Sequence, residues 1–330
     1  MLESHPSFLP WLRPYTTWVR TSTIHLYVWQ NMSKVMLRFS AAKQSRPANG
    51  VFMRIGGNIR NRTYGALIGI AAFCVVSAAA ADDGEQCVRG SGSTAIDACT
   101  RALNSDRFDQ HNLAIIYSNR GNQRERMGDY ERAIADHNEA IRTDPTYAAG
   151  FMHRGNAYAR HGEFDRAIAD HSEAIRLAPK DADAFYNRGY TYSNKSDHER
   201  AVADYTKGIE LDANKSRLWG QRCWSRAVVG KQLREALDDC NRASSLSPTI
   251  PQIFAYRGFV YLKLGQFEKA LADYDAAFSL TKIPDHADWL YGRGVTKLRK
   301  GDTAGGNADI NRAKTIKADI AEEYANYGIK

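Results

Sequence analysis

Little in this sequence interrupts a helix. Only 9 of the 330 residues are proline, which excludes collagen-like structure, and with 43% apolar residues wholesale disorder is excluded too. Catalytic signatures are missing: there is no G-x-S-x-G, no H-E-x-x-H and no glycine-rich phosphate loop at a strand-to-helix junction. Gly305 and Gly306 lie inside a helix-like stretch instead. Neither C-x-x-C nor closely paired histidines occur, so no metal site is expected, and no cofactor. An excess of positive charge is also missing from the body. The whole chain carries +8, which alone would suggest nucleic acid or an anionic membrane. Yet nine of its 45 Lys and Arg, and only one of its 37 acids, lie in residues 1–81, leaving 36 of each sign in 82–330. A neutral body excludes a cationic nucleic-acid footprint.

The basic leader reads as export machinery. Arg54, Arg60 and Arg62 precede an apolar run, Tyr64 to Val76, and the small residues Ser77 to Ala81 follow. Basic, apolar, small is the order of a secretory signal peptide, so 53–81 is expected to be one, cleaved near Ala81. Phe73 before Cys74 argues against lipidation, and Asn61 between Arg60 and Arg62 against the twin-arginine route. The alternative is an uncleaved inner-membrane anchor, since 64–81 is about long enough to span a bilayer. Residues 1–52 fit neither pattern and read as an N-terminal extension from a misplaced start, with translation beginning at Met53. The expected location is periplasmic or secreted, with the membrane touched only through the signal segment.

The body repeats. Gly121, Gly155, Gly189, Cys223, Gly258 and Gly294 recur at intervals of 34 to 36 residues. Aromatic or apolar residues stand four positions earlier (Tyr117, Phe151, Phe185, Trp219, Phe254, Leu290), and Gly or Ser seven positions later. Ala133, Ala167, Ala201, Ala236 and Ala270 follow, and Pro145, Pro179 and Pro248 close three units. Within a unit, 147–160 and 164–177 have apolar or small residues at three- and four-residue spacing, which predicts two amphipathic helices. A turn at His161-Gly162-Glu163 joins them. An αα-hairpin of this kind cannot bury its apolar face alone, so the units must stack.

This skeleton, Phe151, Gly155, Tyr158, Ala167, Ala174 and Pro179 in one unit, resembles the tetratricopeptide repeat family. The resemblance implies an all-α, right-handed α-solenoid of six helix-turn-helix repeats over 114–318. Before it, 82–113 is expected to be a disulfide-tied N-terminal cap with a half repeat; after it, 319–330 a C-terminal capping helix shielding the open end. Lys297 and Gly306 depart from the Tyr and first Ala columns, which predicts a loosely packed sixth unit.

Two charged columns run through every unit: Arg120, Arg154, Arg188, Arg222, Arg257 and Arg293, and Asp136, Asp170, Asp204, Asp239, Asp273 and Asp309. In an antiparallel hairpin they come level, so a ladder of structural Arg–Asp pairs is expected. His137 and His171 share one column of the second helices and are expected to pack between helices rather than catalyse. Cys240 falls in that same column, level with Cys223. These two are predicted to form one disulfide, and Cys87 with Cys99, by elimination, the other.

Stacked pairs leave a concave surface lined by first helices, which in this family takes extended peptides. The predicted peptide-binding groove comprises Asn119, Asn122, His153, Asn156, Tyr186, Asn187, Tyr190, Arg217, Gln221, Trp224, Tyr256 and Phe259. It grades from amides, which hydrogen-bond a peptide backbone, to aromatics, which anchor apolar groups. Asn156, Asn187 and Arg217 match three positions of the carboxylate clamp of some family members, while Met152 and Gln221 depart from it. The expected function is a non-enzymatic scaffold in the cell envelope whose partner is a protein or extended peptide. The alternatives are a membrane-anchored assembly factor and an accessory subunit of an envelope enzyme.

Overall fold

The computed structural model describes residues 83–283 and 285–329. The signal segment, its cleavage point and the extension 1–52 lie outside them. Among the described residues there are fifteen helices and no strand. A short helix α1 (83–89) and α2 (Gly92–Leu103) precede six antiparallel pairs. These are α3 (Gln110–Arg126) with α4 (Tyr130–Thr143), α5 (Ala148–Arg160) with α6 (Phe164–Leu177), and α7 (Ala182–Asn194) with α8 (His198–Leu211). Then come α9 (Ser216–Val229) with α10 (Leu233–Leu246), α11 (Pro251–Lys263) with α12 (Phe267–Leu280), and α13 (Ala287–Arg299) with α14 (Thr303–Ile316). A last short helix, α15, spans Ile320–Asn326. No helix among the described residues is long and apolar enough to cross a membrane.

Local chemistry starts and stops these helices. Side chains of Asp109, Asp129, Asp197 and Asp302 accept hydrogen bonds from backbone N–H groups of the first turns of α3, α4, α8 and α14. Between the helices of each pair one residue takes the left-handed conformation: Gly128, Gly162, Ser196, Gly230, Gly265 or Gly301. Five of the six are glycine, which adopts it without a Cβ penalty.

Four of the six pairs close by the same contact. A Cβ on Gly121 would stand 2.6 Å from the His137 ring, and one on Gly155 2.7 Å from that of His171. Tyr205 and Tyr274 take the ring position opposite Gly189 and Gly258. The missing side chain on one helix is thus the room for a ring on the other. In unit four the contact is covalent: Cys223 and Cys240 are disulfide-bonded, with Cα atoms 5.4 Å apart. A second disulfide joins Cys87 in α1 to Cys99 in α2, with Cα atoms 4.6 Å apart, and α2 packs on α3.

Unit six is not loose. The helices α13 and α14 cross so closely that a Cβ on Gly294 or Gly306 would stand 2.9 Å from the other's carbonyl oxygen. Leu298 covers Gly306, and Lys297 pairs with Asp309 at 2.8 Å. The two departures from the repeat pattern are compensated locally.

The charged columns meet in all six units. Each Arg grips both oxygens of its Asp through Nε and Nη2 at 2.6–3.0 Å. Its remaining nitrogen, Nη1, donates to the second helix of the preceding unit. The acceptors are Thr100, Asn138, Ser172, Thr206, Asn241 and Asp275, at 2.7–3.2 Å. One guanidinium therefore fixes both the pair and the stacking of pair on pair.

Candidate functional site

First helices of neighbouring units touch one another, whereas second helices of neighbouring units do not, among the described residues. A stack crowded on one side and splayed on the other curves, with the first helices on its inside. Two columns of the first helices face along this inner wall. Members of the column just before the Arg reach the adjacent first helix: His153 Nδ1 lies 2.7 Å from Ser118 Oγ, and Gln221 Nε2 lies 3.5 Å from Tyr256 Oη. Members of the column just after the Gly do the same: Asn122 Nδ2 is 3.4 Å from His153, and the Trp224 ring stacks on Tyr256 at 5.0 Å.

The wall has two unlike halves. In units one to three it is open. Asn119, Asn156 and Asn187 are partly exposed, and their side-chain amides make no hydrogen bond among the described residues. Tyr190 is 40% exposed and stacks on Tyr186 with 6.1 Å between ring centroids. Burial and the neighbouring Tyr190 push the Tyr186 hydroxyl up to about 12, so it stays a donor. Arg217 lies 4.4 Å over the Tyr186 ring. Its guanidinium and the Lys215 ammonium both pair with Asp183. The charge needed to grip a ligand carboxylate is thus already engaged, and the partial clamp match at Asn156, Asn187 and Arg217 lacks an unpaired cation.

In units four to six the wall is covered. Tyr256 and Phe259, expected as ligand anchors, are 8% and 1% exposed; they belong to the core. The reason is the C-terminal segment 320–329, which does more than shield the end of unit six. It runs back along the inner wall. Tyr324 packs edge-on against Phe259 at 5.6 Å and against Tyr291 at 4.7 Å. Tyr327 meets Trp224 at 5.6 Å and Phe259 at 6.0 Å. Tyr324 Oη donates to the Asp288 carbonyl at 2.5 Å, and Lys263 Nζ donates to the carbonyls of Ala227 and Tyr327 at 2.8 and 2.7 Å. The pattern of the repeats holds no signal for this placement, because Tyr324 and Tyr327 lie beyond the last periodic column.

Away from the wall, His137 and His171 are fully buried with neither ring nitrogen hydrogen-bonded. Burial holds His137 well below the usual histidine range and brings His171 to about 3; His153 falls to about 4 for the same reason. They are neutral at pH 7 and serve packing. Among the described residues no cluster of three or more His, Cys, Asp or Glu is arranged to hold a metal.

Sequence models of the tetratricopeptide repeat match residues 121–162, 155–196, 182–215 and 258–319. The gap, 216–257, holds unit four, where Cys223 stands in the glycine column, and the first residues of unit five. Solved structures share the fold. A tetratricopeptide repeat protein from Parabacteroides merdae is 20% identical with a TM-score of 0.55, over 71% of this chain and 91% of that one. PilW, a widely conserved type IV pilus biogenesis factor, is 18% identical with a TM-score of 0.56, over 62% and 93%. PilF of Pseudomonas aeruginosa is 15% identical with a TM-score of 0.55, over 66% and 98%. At these identities the likeness is one of fold.

Proposed function

This chain belongs to the tetratricopeptide repeat family, and on that premise we propose that it is a non-enzymatic scaffold binding an extended protein segment along the open half of its inner wall. The observation that carries this reading is the row of side chains that the solenoid does not use. Arg–Asp pairs, Gly–ring contacts and the two disulfides hold the stack together. Asn119, Asn156 and Asn187 contribute to none of these, and neither does the exposed edge of Tyr190. Amides spaced along an inner wall can donate to and accept from a peptide backbone, while Tyr190 offers one apolar anchor.

The protein is further read as exported to the cell envelope. Two disulfides support this, since such bonds persist in oxidising compartments, and so does the signal-like order of 53–81. Intact mass of the protein recovered from cells tests it: a species beginning near Asp82 that gains four hydrogens on reduction is expected. A species retaining 53–81 with its disulfides intact supports the anchored alternative, and free thiols throughout overturn export.

Binding is tested by placing a photo-crosslinker at Asn156 in the full chain and identifying what it captures. Tyr190→Ala should then weaken that partner about tenfold, the cost of one lost aromatic anchor, with an unchanged melting temperature. If Tyr190→Ala, Asn156→Ala and Asn187→Ala all bind the captured partner like the wild type, the open wall is not the binding surface.

A further inference from the structure

We propose that the aromatic wall of units four to six is a second binding site, for an amphipathic helix of a partner protein, and that the chain's own segment 320–329 occupies it as a displaceable resident. The proposal rests on reading the inner wall as a binding surface. A cap needs only to cover the exposed end of unit six, and the contacts of α15 with α13 and α14 do that. Residues 324–329 go further: Tyr327 lies against Trp224, two units upstream. They sit on the same two side-chain columns that stand open in units one to three.

The seated segment also specifies the chemistry of its competitor. Ile320, Tyr324 and Tyr327, at i, i+4 and i+7, form the apolar stripe, with Ile320 fully buried and Tyr324 2% exposed. Glu322, Ala325 and Asn326 face solvent. This is the helix-in-groove mode, with aromatic anchors entering an aromatic wall. Lys263 adds a fixed reading of the helix end. Burial lowers its ammonium from the usual lysine range, and it bridges the wall carbonyl of Ala227 to the last-turn carbonyl of Tyr327. A competitor therefore ends its helix there, with a carbonyl free for the same ammonium. Held in the same chain, 320–329 competes at an effective concentration on the order of millimolar, so the site is shut to weak helices and open to stronger ones.

The test uses a fluorescein-labelled peptide of sequence 317–329, titrated by anisotropy into the full-length wild type, Tyr327→Ala and Ala325→Pro. Each variant weakens the resident without emptying the wall of Trp224 and Phe259. Both should therefore bind the added peptide at least about tenfold more tightly than the wild type, one lost anchor or one broken helix turn in the resident being worth at least about that factor. Equal affinity for all three proteins, or binding to none of them with helix content unchanged, overturns the proposal. Should Tyr327→Ala destabilise unit six, Ala325→Pro, at an exposed position of α15, breaks the resident helix without removing a ring from the core and decides between the same two outcomes. In either negative case a partner captured at Asn156 leaves the open-wall reading standing.

Discussion

Replacing Asp239 by Ala removes one carboxylate and strands two cations, because Arg222 and Arg226 both pair with it at 2.6 Å. Asp170 serves Arg154 alone among its ion pairs. Removing one partner of a buried pair costs about 3–5 kcal/mol, chiefly because the charge left behind is unsatisfied. Asp239→Ala is therefore expected at the upper end of that range and Asp170→Ala at or below the lower end, read from urea midpoints, with partner binding unchanged in both. Loss of binding at unchanged stability would make the column a ligand site. The histidines give the second prediction at this scale. Folded His171 titrates at about 3 and His137 also well below its ordinary value, whereas both return to about 6.5 on unfolding. Between those values the unfolded chain binds protons that the folded chain does not. Stability from this source is thus complete well above pH 6.5 and is lost as the pH falls below it toward 3, by up to about 1.4 kcal/mol per unit for His171. From pH 6.5 to 5 His171 alone removes roughly 2 kcal/mol, and His137 and His153 add to the loss in the same direction. His171→Tyr, the solution used at Tyr205, should flatten that slope in melting temperature against pH; an unchanged slope would mean the ring is solvated.

The element most unlike its siblings is the α9–α10 pair, where a disulfide replaces the Gly–ring contact. Equivalence of the two solutions is testable by exchange: Cys223→Gly with Cys240→Tyr installs the contact of units three and five. The double variant should keep its helix content and lose about 3 kcal/mol, the stabilisation expected of a cross-link closing a loop of 17 residues. Cys223→Ala with Cys240→Ala should lose about 2 kcal/mol more, because it leaves a cavity where a ring or sulfur stood. Equal losses in a chemical denaturation series would show that the column is not a packing site. Features that recur in every unit were legible in the sequence for a physical reason: repetition lines up Arg with Asp, Gly with ring, and Cys223 with Cys240. The acceptor of Arg Nη1 escaped because its column changes type, from Thr to Asn to Ser to Asp, though it is polar in every unit. The burial of Phe259 escaped because it depends on Tyr324 and Tyr327, which belong to no column.

Along the whole repeat, the restraints are unevenly placed. A stack in which each unit contacts only its neighbours has a stability that is a sum of local terms, so it opens where those terms are weakest. The N-terminal end is tied by Cys87–Cys99, and by Gln123, whose side chain bonds the backbone of Gly90 and Gly92. Units four to six carry Cys223–Cys240 and the seated segment 320–329. Units two and three, α5 to α8, have neither. They should show the lowest amide protection of the six, by at least about tenfold relative to α9–α13, a factor that corresponds to only 1.4 kcal/mol. His153 and His171 lie in unit two and His137 in the α4 helix that packs on it. Lowering the pH to 5 should therefore widen the gap first in α4–α6, once the intrinsic pH dependence of exchange is divided out. Uniform protection across α3–α14 at both pH values would show that the stack opens as one cooperative body. The expected minimum coincides with the open wall at Asn156, Asn187 and Tyr190. A ligand seated there would bridge units two and three and supply from outside the restraint that α15 supplies at the other end, so its binding should raise protection most in α5 and α7.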